Sequence, residues 1–193
     1  MHSKKQLSFI TNNNHKLREA KILLSRYNIN VSQIKKDKLE IQSDSFEEIA
    51  LSAIKNALKE FTLSIIIEDA GLLVKELNNF PGPYSSYVFT TIGNRGILKL
   101  LTGSKERVAE FRSVVAFGNP KCKPICFTGS VLGYISKTER GTHGFGFDPI
   151  FIPFEGDGKT LSEMTLEEKN RISHRSVSLK KFAEWYQEKD NND

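Results

Sequence analysis

Residues 63–69 read Leu-Ser-Ile-Ile-Ile-Glu-Asp. The stretch Leu63–Ile67 is short, apolar and rich in β-branched side chains, the pattern of a strand covered on both faces. Such strands belong to sheets that carry helices on both sides, so an α/β fold follows. The run stops abruptly at Glu68-Asp69, two adjacent carboxylates that are costly there unless they are paired, hydrated or bound to a metal.

The flanking sequence fits the same plan. Upstream, Gln6–Thr11 alternates apolar and polar residues like a strand, and Asn12, Asn13 and Asn14 follow with side chains suited to capping a helix. Residues 15–27 then put Leu17, Ala20, Leu23, Leu24 and Tyr27 on one helical stripe. Ser45-x-x-Glu48 has the form of a capping box and opens a helix with Phe46, Ile49, Ala50, Ala53, Ala57 and Phe61 on its apolar face. Downstream, 71–77 reads as a further strand, Asn78–Pro83 as a loop, and Arg95–Leu101 as a short helix stopped by Gly103. Two strands follow at 107–117 and 125–135, then a glycine-rich stretch at 141–146 and a strand at Ile150–Ile152. A second capping box at Thr165-x-x-Glu168 precedes a last helix near 176–188. Strands and helices alternate without repeats or a linker, so the sequence predicts one α/β domain with a mixed sheet over residues 1–193.

Composition narrows the function. The chain has 193 residues, enough for a substantial core. Apolar runs fall far short of the roughly 20 residues that span a bilayer, and the first residues lack a signal-peptide core, so a cytoplasmic protein is expected. The 28 basic residues outnumber the 23 acidic ones by 28 − 23 = 5. That excess sits in residues 1–38, where nine basic side chains face two acidic ones. A basic half of this kind serves a nucleic-acid backbone, a smaller polyphosphate, or only solubility.

Four places carry possible chemistry. In the turn Thr11–Lys16, a helix N-terminus attracts anions and Lys16 stands in its first turn; the alternative is a plain cap with a solvated lysine. Glu68-Asp69 offers hard oxygen ligands of the kind Mg²⁺ takes, or is an ordinary acidic turn, and Glu40 is a further carboxylate. In Gly144-Phe145-Gly146-Phe147-Asp148-Pro149, glycines around Phe145 make it a stacking platform for a base, unless both phenylalanines belong to the core. Ser173-His174-Arg175 presents donors for a carbonyl or a phosphate, or is a capping serine beside two exposed side chains. Gly158-Lys159-Thr160 imitates the end of a phosphate-binding loop, but Pro153 occupies the place of its first glycine. Cys122 and Cys126 have no nearby Cys or His partners and read as incidental thiols.

Read together, these stretches resemble the inosine triphosphate pyrophosphatase family, hydrolases of deaminated purine nucleoside triphosphates. Thr11-x-Asn13-x-x-Lys16 is similar to its T-x-N-x-x-K start, Glu68-Asp-Ala-Gly-Leu72 to its [DE]-D-S-G-L, and Phe80-Pro-Gly-Pro-Tyr-Ser85 to its x-P-G-x-Y-S. Gly144–Pro149 looks like its G-F-G-[YW]-D-P. Glu163-Met164, Glu168-Lys169-Asn170 and Ser173-His-Arg175 match its C-terminal signature in order and spacing. Each motif alone is weak; in this order, from about residue 8 to 185, they are specific.

The resemblance implies a long bent mixed sheet flanked by helices, two lobes with the active-site cleft between them, a homodimer, and Mg²⁺ as cofactor. It implies ITP, dITP and XTP as substrates, and neither nucleic acid nor membrane as partner. Carried over by position, Thr11, Asn12, Asn13, Asn14, His15 and Lys16 hold the phosphates, with Lys55 reaching them. Glu40 and Asp69 bind the metal, and Asp69 is also the catalytic base. Ala70 lines the site, while Phe145, Gly146, Phe147, Asp148, Lys169, His174 and Arg175 hold base and sugar. Three departures stand out: Ala70 replaces a serine, Asn12 stands where glycine is common, and Lys55 lies off the apolar stripe of its helix.

Overall fold

The computed structural model describes residues 5–37, 39 and 41–190. Its elements run β1 (Lys5–Ile10), α1 (Asn14–Ser25), β2 (Ile29–Ile34), α2 (Phe46–Ala57), β3 (Ile65–Val74) and β4 (Phe80–Pro81). Then come α3 (Ser85–Thr91), α4 (Gly93–Leu100), β5 (Val108–Asn119), β6 (Cys122–Ile135), β7 (Phe151–Pro153), α5 (Leu166–Ile172) and α6 (His174–Asp190). The strands form one mixed sheet ordered β2-β1-β3-β5-β6-β7, with the two-residue β4 paired to β3. β1 is parallel to both β2 and β3, whereas β3–β4 and β6–β7 are antiparallel. Among the described residues, no helix is long and apolar enough to cross a membrane.

The fold departs from the expected elements in instructive places. The predicted strands at 63–67 and 71–77 are one strand, β3, which runs straight through Glu68, Asp69 and Ala70. The acidic pair therefore lies inside a strand, and the buried cations beside Glu68 remove the reason for the strand to stop. β2 has no counterpart among the expected elements, although Ile29 and Val31 are buried while Asn30 and Ser32 are exposed. α3 likewise lies outside the expected elements, because SSYVFTT is rich in residues of modest helix propensity and is held helical by its packing, with Val88 buried. The last helix begins two residues earlier than expected, at His174. Ser45 and Thr165 both cap the helices that their spacing predicts. Thr165 and Glu168 form a complete reciprocal box, whereas Glu48 turns to Ser43 and leaves Ser45 to cap α2 alone.

The chain divides into two compact units. Unit 1 comprises residues 1–69, 113–129 and 175–193; unit 2 comprises 70–112 and 130–174. Each has its own core. In unit 1, Leu7, Phe9, Leu24, Ile66, Val115 and Phe182 pack together, with Phe117 edge-on to Trp185. In unit 2, Leu72, Ile97, Phe111, Ile150 and Phe151 do the same. The chain passes between units at Asp69–Ala70, Arg112–Ser113, Gly129–Ser130 and His174–Arg175.

Candidate active site

In unit 1 the site begins where β1 meets α1. Thr11 is fixed to β2 by its N–H, which donates to the Ile34 carbonyl, and by its own carbonyl, which accepts from Gln33. Its hydroxyl accepts from the Asn13 N–H at 3.1 Å. Of the three asparagines, Asn13 is the cap: its Oδ1 accepts from the N–H groups of both His15 (2.9 Å) and Lys16 (3.1 Å). The Asn13 cap thus satisfies the backbone donors of His15 and Lys16. Asn12 keeps its backbone out of the left-handed region, so the turn needs no glycine there, and its amide donates to Asp37 at 2.7 Å.

Lys16 is turned inward, not solvated. Its ammonium lies 2.8 Å from Oε2 of Glu68, whose side chain is fully buried. Oε1 of the same carboxylate accepts from Arg175 Nε (3.1 Å) and from the Ser113 hydroxyl (2.7 Å). Arg175 Nη1 also donates to Glu19 at 2.6 Å, and Ser113 lies 2.9 Å from Ser178. Two acids and two bases thus form a buried, charge-balanced cluster. Burial alone would raise the Glu68 carboxyl, but the Arg175 and Lys16 charges and the hydrogen bonds outweigh it and hold the group far below the usual carboxylate range. Against the alternative of two exposed side chains beside a capping serine, His174 and Arg175 are both buried.

Asp69 follows Glu68 on β3, and strand alternation sends its side chain to the opposite face, where it is half-buried. Ala70 beside it is likewise half-buried and brings no hydroxyl. Lys55 is exposed in the last turn of α2. Glu40 lies outside the described residues. Among the described residues there is no cluster of three His, Cys, Asp or Glu that could hold a metal by itself. Mg²⁺ does not require one, since it takes one or two carboxylates and completes its shell with water and substrate phosphate. The hard oxygens of Asp69 fit that role.

Unit 2 holds the glycine-rich loop. Asp148 is buried, and its Oδ2 accepts from Lys169 Nζ at 2.7 Å and from the Phe145 N–H at 2.8 Å. The same ammonium sits 4.9 Å from the centre of the Phe145 ring. Phe145 is half-exposed, as a stacking surface must be, with a cation beneath it. Phe147 is core, edge-on to Phe89 at 5.4 Å. Phe147 thus belongs to the core, while Phe145 stays half-exposed. His174 stacks on Phe111 at 4.6 Å with 14° between the rings. Asp148 and Lys169 together hold the loop in shape.

Gly144 is one of the places where this loop needs glycine. Its φ is +75°, and a Cβ there would stand 2.2 Å from the anchored Asp148 carboxylate. Gly144→Ala is expected to destabilise the fold by about 1–3 kcal/mol, the usual cost of one strained residue, measured by chemical unfolding. A change below about 0.5 kcal/mol would mean that the loop gives way.

Sequence reasoning missed Glu19, Ser113 and Ser178. Signals existed. Glu19 stands four residues before Leu23, on the inward face of α1, and Ser113 interrupts the row Ala109, Phe111, Val115, Phe117 on one face of β5.

A model of the Ham1 family matches residues 7–185. The chain belongs to the Ham1 family. Among its relatives, the dITP/XTP pyrophosphatase of Methanopyrus kandleri is 51% identical over 178 residues, covering 92% of this chain and 94% of that one. The dITP/XTP pyrophosphatase of Methanothermobacter marburgensis is 48% identical, covering 95% and 97%. The solved Ham1 protein of Staphylococcus aureus superposes with a TM-score of 0.83 at 28% identity, covering 96% of this chain and all of that one. The Ham1 fold and its mixed sheet thus agree with the architecture expected from the motifs.

Proposed function

We propose that this Ham1 chain hydrolyses deaminated purine nucleoside triphosphates (dITP, XTP and ITP) to the nucleoside monophosphate and pyrophosphate. The observation that carries the reading is Lys16, a cation at the positive end of α1, held in place by a buried carboxylate. The names of the relatives in Methanopyrus and Methanothermobacter support the substrate class.

The substrate brings about four negative charges, which Lys16 and Lys55 neutralise in part. Asp69 orients and deprotonates the water that attacks the α-phosphorus, and pyrophosphate leaves. Asp69 and Glu40 would hold Mg²⁺, which supplies charge neutralisation on the phosphates. Thr11 to His15 shape the turn beside Lys16. Phe145 stacks on the base, with Gly146, Phe147, Asp148 and Lys169 maintaining its loop. Arg175, fixed by two carboxylates, is a donor of set orientation; with His174 it favours a keto oxygen at C6 over the amino group of adenine. The residues act as one domain in a cytoplasmic homodimer, without nucleic acid or membrane.

A pyrophosphate-release assay with Mg²⁺ across dITP, XTP, ITP and the standard triphosphates tests the reading. Turnover confined to the deaminated purines is expected; equal rates on ATP or no release from any of them would overturn it. In the same assay, Lys16→Ala should weaken all accepted triphosphates by a similar factor, because phosphates are common to them. A loss confined to one base would move Lys16 to base recognition.

A further inference from the structure

We infer that the Ser113–Ser178 hydroxyl pair positions Glu68 so that Lys16 can leave it for a phosphate, an inference that rests on Lys16 being the phosphate-holding group. Counting hydrogens fixes the direction of the pair. A carboxylate only accepts, so the single Ser113 hydrogen goes to Glu68 Oε1, 2.7 Å away. The 2.9 Å contact between the serines must then be donated by Ser178, whose other acceptor in reach is the Arg175 carbonyl at 3.1 Å. The chain of donors runs from Ser178 to Ser113 to Glu68. Both serines are fully buried, and Ser113 interrupts an apolar row on β5. A hydroxyl in such a place is unfavourable unless its bond is used.

The partners of Glu68 differ in access. Arg175 is 2% exposed at its side chain and locked to Glu19, whereas Lys16 is 16% exposed. Lys16 is the member of the cluster that a ligand can draw away. Its charge is neutralised by Glu68 until it moves, so the ease of that exchange enters substrate affinity. Donors on one carboxylate compete, since each withdraws charge that the others would use. The Ser113 hydroxyl, backed by Ser178, therefore loosens the hold of Glu68 on Lys16 and keeps Oε1 satisfied once Lys16 has gone. Without it, releasing Lys16 would leave the buried carboxylate one donor poorer.

The test is steady-state kinetics on dITP with Mg²⁺ for Ser113→Ala, Ser178→Ala, Lys16→Ala and the double variant Lys16→Ala/Ser113→Ala, with thermal unfolding alongside. Ser113→Ala should raise KM about tenfold (about 1.4 kcal/mol) with kcat within about twofold. Ser178→Ala, one bond further away, should raise it about threefold, and it carries the test if Ser113→Ala does not fold. In the Lys16→Ala background, Ser113→Ala should change KM by less than about twofold, a non-additivity that a merely structural serine does not produce. An equal KM effect in both backgrounds, or no effect in either, overturns the inference while leaving Lys16 on the phosphates. A Lys16→Ala variant with unchanged KM overturns the phosphate reading itself, and this inference with it.

Discussion

Asp69→Asn is expected to slow turnover by at least about 100-fold, with substrate binding reduced far less. The variant keeps the size of the side chain but removes the proton acceptor and a negative charge. General-base catalysis is worth about 10²–10⁴-fold, so the lower edge of that range sets the expected minimum. Asp69 also suits the isosteric test because it is half-buried, unlike its neighbour. Glu68→Gln would confound chemistry with the collapse of a buried ion cluster. The measurement is kcat with Mg²⁺ saturating, so that weaker metal binding cannot imitate the loss of the base. Near-normal turnover under those conditions would remove Asp69 from the role of base and leave it at most a metal ligand.

Arg175→Ala gives the largest expected loss of stability, about 3–5 kcal/mol, because it leaves two buried carboxylates without their guanidinium. Glu19 and Glu68 are 4% and 2% exposed, so water cannot take its place without opening the structure. For a chain of this size the midpoint of thermal unfolding falls by roughly 6–20 °C. Arg175→Lys restores charge without the two-pronged geometry and should recover only part of the loss. The linkage with pH has a definite sign. The folded Glu68 carboxyl is held below its unfolded value, so its contribution is present above the unfolded range and disappears as pH falls through the folded one. The variant should therefore lose stability most near neutral pH and differ least from the wild type in strong acid. Kinetics separate the two roles of this residue. The inosine-to-adenosine ratio of kcat/KM should fall in Arg175→Lys, and an unchanged ratio would make Arg175 a residue of the fold alone. A thermal shift corresponding to less than about 1 kcal/mol would mean that the carboxylates find other partners.

Much of the molecule was legible because local signals and tertiary structure agree. Asn13, Ser45 and Thr165 each cap the helix that their spacing announces, and the apolar stripe of α1 is the face that packs in unit 1. The division of labour between Phe145 and Phe147 was not legible. Both sit in the same glycine-flanked motif, and only the fold sends one to Phe89 and leaves the other at the surface. The acidic pair misled in a different way. Glu68-Asp69 reads as the end of a strand when its partners are unknown, yet those partners come from residues 16, 113 and 175. Charge neutralisation across such distances along the chain leaves no periodic trace. Glu19 shows the remedy, since a carboxylate on the inward face of an amphipathic helix signals a buried cation elsewhere.

The four crossings between the compact units bear on how this protein can be taken apart. Unit 1 is assembled from three separate stretches of chain and unit 2 from two, with crossings that cut between Asp69 and Ala70 and between His174 and Arg175. No single cut yields either unit whole. A fragment ending at residue 112 carries the opening strands of unit 1 without Ser113, Ser178 or Arg175, so Glu68 keeps Lys16 as its sole partner from the cluster. Neither unit is therefore a transferable module. Domain excision and recombination at one breakpoint should both fail to pass on a working half, and Lys16 cannot be grafted without the C-terminal helix whose Arg175 steadies its counterion.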